Sequence, residues 1–311
     1  MPIPLLRLPL LASIPILKDL SIIDLTNLLQ LSKRTQQLVK FTKTHIKLEV
    51  SRDSFQFEMI DDPVKVVNVS FNSRNVSAPN ERMLPFKPVL NQTSRTRREH
   101  AIEEYKRMMD NFVDIFIVDL VSFKLKNATF QSAFCFIEYA RRIGLKFGHA
   151  EIEILRDKNE DYQKLLAVCS DASELSVDVN SRRNFMFDGF NQFKMDYFLI
   201  RCFGVGSLNW FTVDNMCDLV NCSRLGISLL NWGNEDFNEF LKFWVASDGR
   251  LNWFSFSNAH YINSRVVLDG IHNIERELNE VREVFEIERS NGIRAKVTYE
   301  RLGFRLTVIH I

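Results

Sequence analysis

The apolar and polar positions change period three times along the chain. Residues 5–41 are mostly apolar, with few charges before Lys33. Ile22, Leu25, Leu28 and Leu29 recur at i, i+3, i+6 and i+7, which is one face of a helix. Ser21 and Asp24 form a capping pair in front of it. Ser32 is placed to cap a third helix with Leu38 and Phe41 inward and Lys33, Arg34, Lys40 and Lys43 outward. Pro9 suits a first helical turn, where its missing N–H costs nothing. Pro15 is expected to kink or restart the first helix just after Ser13. Residues 4–45 therefore predict three short helices.

From Ile46 the period becomes two. Ile46–Val50 and Phe55–Met59 alternate strictly across a polar turn, a hairpin pattern, and residues 64–71 predict a third strand. Residues 73–98 turn polar, with Pro79, Pro85, Pro88 and a basic run at 94–98, and predict a long surface loop. A helix is expected from Glu99 to Asn111.

Between Phe112 and Ile274 the two periods alternate. Strand patterns cover 150–154, 175–179, 197–200, 225–229 and 251–256, starting roughly 22 to 28 residues apart, within the range of leucine-rich repeats. Helical patterns cover 134–143, 162–168, 211–220 and 235–246. In the last, Phe237, Phe240, Leu241, Trp244 and Val245 form a stripe, Asn234 is the expected N-cap, and Asp248-Gly249 the stop. The fold expected is α+β: N-terminal helices, then short strand–helix repeats in a leucine-rich-repeat-like open sheet, with flanking β-hairpins. The repeats are degenerate, because the asparagine-ladder position after Ile227 falls on Leu230. In the tail, 284–288, 295–300 and 304–311 predict three strands, with a turn at Ser290-Asn291-Gly292. They are expected to close the open end of the stack.

Composition narrows the function classes. The chain has 311 residues, which suggests two domains at ~150 residues each. A net charge of +1 gives no whole-chain field for nucleic acid or membrane. The five cysteines, Cys135, Cys169, Cys202, Cys217 and Cys222, form no CxxC. Reduced, buried thiols are expected, and with them a reducing compartment, cytoplasm or nucleus. A secreted glycoprotein is suggested by the apolar start and the sequons at Asn68, Asn75, Asn91, Asn127 and Asn221. Arg7, the prolines and the lack of a small-x-small site argue against that reading.

Candidate chemistry is sparse. Gly204-Val205-Gly206 lacks a third glycine, Asn209 standing in its place. No P-loop or G-x-S-x-G occurs, no histidine has a partner at i+4, and Asp61-Asp62 and Glu103-Glu104 fit turns or helix starts. The cysteines sit in apolar surroundings unsuited to a thiolate. No catalytic residue, metal ligand or cofactor is predicted, and the reading is of a non-enzyme.

Two resemblances give a positive reading. Leu8-Pro9-Leu10-Leu11, Ile14 and Leu17, a Ser21-led second helix, and Leu31-Ser32-Lys33-Arg34-Thr35 with Leu38-Val39 resemble an F-box. Residues 206–214, 234–244 and Ser247-Asp248-Gly249-Arg250-Leu251 are similar to the nematode F-box-associated domain, type 2. Together they cover about Leu5 to Ile274, with Pro15 a departure from the F-box pattern. The resemblance implies an F-box over 1–45 and a substrate-recognition domain over 46–311. It implies a receptor subunit of a Skp–cullin–F-box ubiquitin ligase. Leu8, Pro9, Leu11, Ile14, Leu17, Leu25, Leu28 and Leu38 would bind a Skp-family adaptor and, through it, a cullin. An unidentified target protein would bind elsewhere, with Trp210, Trp232 and Trp253 as candidate anchors. The alternative is a repeat-type protein-binding module outside any ligase, its N-terminal helices serving as a cap.

Overall fold

A computed structural model of the chain describes residues 8–29, 31–51, 54–60, 62–70, 94–154, 159–180, 185–203, 208–258, 261–278, 282–300 and 303–309. The protein is a mixed α+β protein that divides into two compact units, 1–148 and 149–311.

The first unit opens with three short helices: α1 (Leu10–Lys18), α2 (Ile22–Leu29) and α3 (Lys33–Lys40). The capping signals act as read. Ser21 Oγ accepts from the Asp24 N–H, and Ser32 Oγ accepts from the Thr35 N–H (both 3.2 Å). Pro15 does not restart the helix; α1 runs unbroken through it, with Pro9 as N-cap. Only the bond from position 15 to the Leu11 carbonyl is forfeited. On α3 the inward residues are Thr35 and Val39, an i, i+4 pair. Leu38 is half-buried, and Phe41 lies past the helix end, 49% exposed.

The same unit continues with β1 (His45–Ser51), β2 (Ser54–Met59) and β3 (Asp62–Ser70), then α4 (Ser94–Ile115), β4 (Ile117–Ala128) and α5 (Phe130–Arg142). The strand order is β4-β1-β2-β3, with β1 parallel to β4 and antiparallel to β2. Ile46, Leu48 and Val50 of β1 are buried and paired with β2, whose Phe55 and Phe57 are buried too. Over them lies α4: Tyr105 meets Phe55 at 4.6 Å and Phe112 meets Phe57 at 5.0 Å. The expected loop over 73–98 is corrected at its end, since α4 already begins at Ser94. Arginine is a good helix former, and the apolar stripe of α4 carries the helix back through the basic run. The rest of that loop, 73–93, lies outside the described residues. Strand β4 was not expected from the sequence.

The second unit alternates. The division falls within β5 (Phe147–Ile154), which is followed by α6 (Asn159–Val168), β6 (Glu174–Asn180), β7 (Tyr197–Phe203), α7 (Val213–Asp218), β8 (Arg224–Leu230), α8 (Asn234–Ala246), β9 (Trp253–Asn258) and α9 (Ser264–Val267). Strands β5 to β9 pair in chain order and all in parallel. On one face Phe198, Ile200, Leu225, Ile227, Phe254 and Phe256 are buried. Here α8 packs with its expected stripe: Phe237 stacks on Phe256 (4.3 Å) and Phe240 meets Phe254 edge-on (5.2 Å). Each such buried side chain contributes roughly 1.5–3 kcal/mol.

Three details differ from the expected pattern. Gly233, not Asn234, is the N-cap of α8; the Asp236 carboxylate accepts from the Gly233 N–H (2.8 Å). Asn234 instead accepts from the Asn263 N–H (2.8 Å). Between β6 and β7 an irregular segment with one 3-10 turn at Phe190–Gln192 buries Phe185, Phe187, Phe190 and Phe193. The tail holds its three expected strands, β11 (Arg282–Glu288), β12 (Arg294–Glu300) and β13 (Gly303–Val308), but they are preceded by an unexpected one, β10 (Asn273–Leu278). β13 pairs antiparallel with β9, so the tail covers that edge by continuing the sheet.

Candidate functional site

The second unit presents two kinds of sheet face. Strand alternation sends one set of side chains to the helices and the other to solvent. On the solvent face Tyr197, Leu199 and Arg201 of β7 lie beside Gly226 and Ser228 of β8, then Trp253, Ser255 and Ser257 of β9. These, with Arg282, Glu300 and Gly303 of the tail strands, line a groove of about 1000 Å³.

Gly226 lets the neighbouring side chains pack closely over β8. A Cβ there would stand 2.8 Å from Leu199 Cδ1 and 3.2 Å from the Tyr197 hydroxyl. The space a side chain would take is thus already filled by Leu199 and Tyr197, and Tyr197 makes an edge-to-face pair with Trp253 (6.3 Å). Arg224 lies over the Tyr197 ring at 5.0 Å. Towards β5 the floor is ionic. Arg201 donates to both Asp178 oxygens (2.6 and 3.1 Å) and to Glu151 (3.0 Å). These bonds, first to Asp178, raise the guanidinium pKa against the opposing effect of burial. The arrangement is a groove with apolar and aromatic side chains in its middle and fixed charges beside them.

The expected target anchors separate here. Trp253 is half-buried and lines the groove. Trp232 is buried and donates from Nε1 to the Phe211 carbonyl (2.8 Å), so it holds the core instead. Trp210 is half-buried against Phe185 (4.5 Å). Tyr197, Leu199 and Gly226 were not anticipated. Their alternation is readable strand by strand, but their meeting depends on register between strands.

The expected adaptor residues also separate. Leu17 and Leu25 are fully buried within the first unit. Leu11 is 84% exposed. Pro9 is exposed, and Leu8, Ile14, Leu28 and Leu38 are half-buried. Leu10, Ile16 and Leu31 add exposed apolar surface. Helix α1 is apolar on nearly every side, yet only Ser13 and Leu17 of it are buried.

The segments with the strongest resemblance have structural work of their own. Trp244 Nε1 donates to the Leu251 carbonyl (3.2 Å), and the Ser247 hydroxyl to the Trp244 carbonyl (3.0 Å). Arg289 lies over the Trp244 ring (4.1 Å) and donates to Gly249 O (2.7 Å) and Leu251 O (3.0 Å). Burial lowers its pKa, opposed by Asp248. Asn291 reaches Asp248 (3.2 Å). In the earlier segment Thr212 and Asn215 form the capping box of α7.

Among the described residues no cluster of histidine, cysteine and carboxylate side chains could hold a metal ion. Burial pushes the Cys217 and Cys222 thiols up to about 11, Cys217 with added repulsion from Asp214. Both are protonated at neutral pH and are poor nucleophiles there. No helix of the described residues is long and apolar enough to cross a membrane. No model of a known protein family matches the chain, and no curated protein matches it significantly.

Proposed function

We propose that the protein is the substrate-recognition subunit of a Skp–cullin–F-box ubiquitin ligase, working in the cytoplasm or nucleus. In this reading residues 1–45 are a three-helix F-box. The parallel strands β5 to β9 are a leucine-rich-repeat-like receptor, and the target is a protein. The observation that carries it is the apolar surface of α1: Leu10 and Ile16 are 40% and 44% exposed and Leu11 84%. A helix apolar all round is normally enclosed. A cluster of large exposed apolar side chains marks an interaction surface. The motif around it, Leu8 to Leu17, is the one that resembles an adaptor-binding F-box. The chemistry would be supplied in trans, and the receptor would raise the local concentration of target lysines. Co-expression of the full chain with a Skp-family adaptor tests this. Co-elution of the two, with a cullin joining the complex, is expected; a soluble chain that ignores the adaptor sinks the proposal.

A second reading rests on Leu17, Leu25 and Val39, all fully buried. A helical cap on a repeat-type binding module outside any ligase needs no more than this.

A further inference from the structure

The hairpin tip between β11 and β12 is held against the corner between α8 and β9 by three consecutive residues. Arg289 donates to the Gly249 and Leu251 carbonyls, and the Ser290 N–H donates to the Val245 carbonyl (2.9 Å). The Asn291 side-chain amide adds a third hold, donating from Nδ2 to Asp248 Oδ1 (3.2 Å). Arg289 is buried, whereas Ser290, Asn291 and Asp248 are exposed. Asn291 is followed by Gly292, the only Asn-Gly pair in the chain. Gly292 turns the backbone at φ +84°, and nothing lies within 4 Å of the place its Cβ would take. Without a side chain, glycine leaves its own nitrogen unscreened. On the other side of the amide, Asn291 Oδ1 accepts from the Ile293 N–H (3.2 Å).

We propose that Asn291 is a site of self-modification, its side-chain amide converted to a carboxylate through attack by the Gly292 backbone nitrogen. The Gly292 nitrogen bonds to Asn291 Cγ, the bond from Cγ to Nδ2 breaks, and Nδ2 leaves as ammonia with the proton that the Gly292 nitrogen gives up. A cyclic succinimide remains. Water then adds across one of its carbonyl–nitrogen bonds and leaves aspartate or isoaspartate. The sum is one water taken up and one ammonia released, with no oxidation or reduction. The surroundings suit the step. The Ile293 N–H stands at the oxygen on which negative charge gathers during attack. The Asp248 carboxylate holds the departing nitrogen. Attack also needs the Gly292 N–H to leave the Arg289 carbonyl (2.9 Å), an opening that an exposed hairpin tip makes far more readily than a core does. The product opposes the fold. A donor to Asp248 becomes a second carboxylate facing it, and like charges in contact repel. The tip then keeps its hold through Arg289 and Ser290 alone. The reaction is a slow, one-way loosening of the tail from the Trp244 corner, and it is independent of the ligase reading.

The test is ageing of the folded full chain in warm, mildly alkaline buffer, followed by peptide mass spectrometry. Conversion of Asn291 is expected to outrun that of every other asparagine several-fold. Asn291→Asp reproduces the product directly, and is expected to lower Tm by about 2 °C. Adding Asp248→Asn to that variant exchanges the two groups and restores an amide donor opposite a carboxylate. The double variant is expected to recover most of the lost Tm. An Asn291 that stays an amide while other asparagines convert overturns the inference. So does an Asn291→Asp chain that melts with the wild type, or a loss that Asp248→Asn does not recover.

Discussion

Helix α1 and the corner between α8 and β9 both attract attention in the sequence, and they have opposite structural characters. The corner is closed by its own chain. Trp244 is fully buried, Arg289 lies over it, and the carbonyls of Gly249 and Leu251 accept from that guanidinium. In α1 most apolar side chains face outward, and Leu11 is 84% exposed. A specific motif can therefore mean that a fold needs it, whereas an apolar motif left open points to a partner. The Trp244 to Leu251 spacing is explained by folding alone. The Leu8 to Leu17 spacing is not.

The largest effect that sharpens this contrast is expected from Trp244→Ala. It removes a buried ring, the bond to Leu251 and the surface beneath Arg289, and should cost about 3–5 kcal/mol. Urea denaturation of the full chain reads this directly; a loss below about 1 kcal/mol would show that the corner is not the closure described. Leu17→Ala comes next, at about 2–4 kcal/mol, because Leu17 is fully buried. Loss of adaptor binding in that variant is uninterpretable without a melting curve. Arg289→Met keeps much of the stacked stem, takes the guanidinium donor from the Gly249 carbonyl and leaves the Leu251 carbonyl with Trp244 Nε1; about 1–3 kcal/mol is expected, seen as a lower Tm. Gly249→Ala places a Cβ 2.4 Å from Val220 Cγ2 and 2.7 Å from the Val220 carbonyl. Backbone cannot move aside as a side chain does, so about 1–3 kcal/mol is expected; an unchanged Tm contradicts the close approach. Leu11→Ala should be the mildest, within about 0.5 kcal/mol, while weakening any contact made by α1.

Much of the architecture was legible in the sequence because local signals agreed. The Ser21 and Ser32 caps, the β1–β2 alternation and the α8 stripe each needed only neighbouring residues. Strand β4 escaped because α4 ends at Ile115 and β4 starts at Ile117. With only Phe116 between them and no glycine, proline or other turn residue, nothing local marks where the helix stops and the strand begins. The segment around Phe190 escaped for another reason: Phe185, Phe187, Phe190 and Phe193 fit neither a period of two nor one of 3.6. Half of the groove was visible in Trp253. The rest was not, because Tyr197, Leu199 and Gly226 meet Trp253 only through the pairing of β7, β8 and β9, and register between strands is set by the whole sheet. Burial sorted Leu11 from Leu17 in the same way; both are leucines on one short helix, and only packing distinguishes them.

The central claim is that α1 is open in order to be covered by another protein. The most direct measurement is adaptor capture by the wild-type chain and by Leu11→Asp, with Tm recorded for both. The account predicts that the wild type carries the Skp-family adaptor, that Leu11→Asp loses it, and that the two melt within a degree or two. Equal capture by both chains, capture by neither, or a collapse of Tm in Leu11→Asp would contradict it.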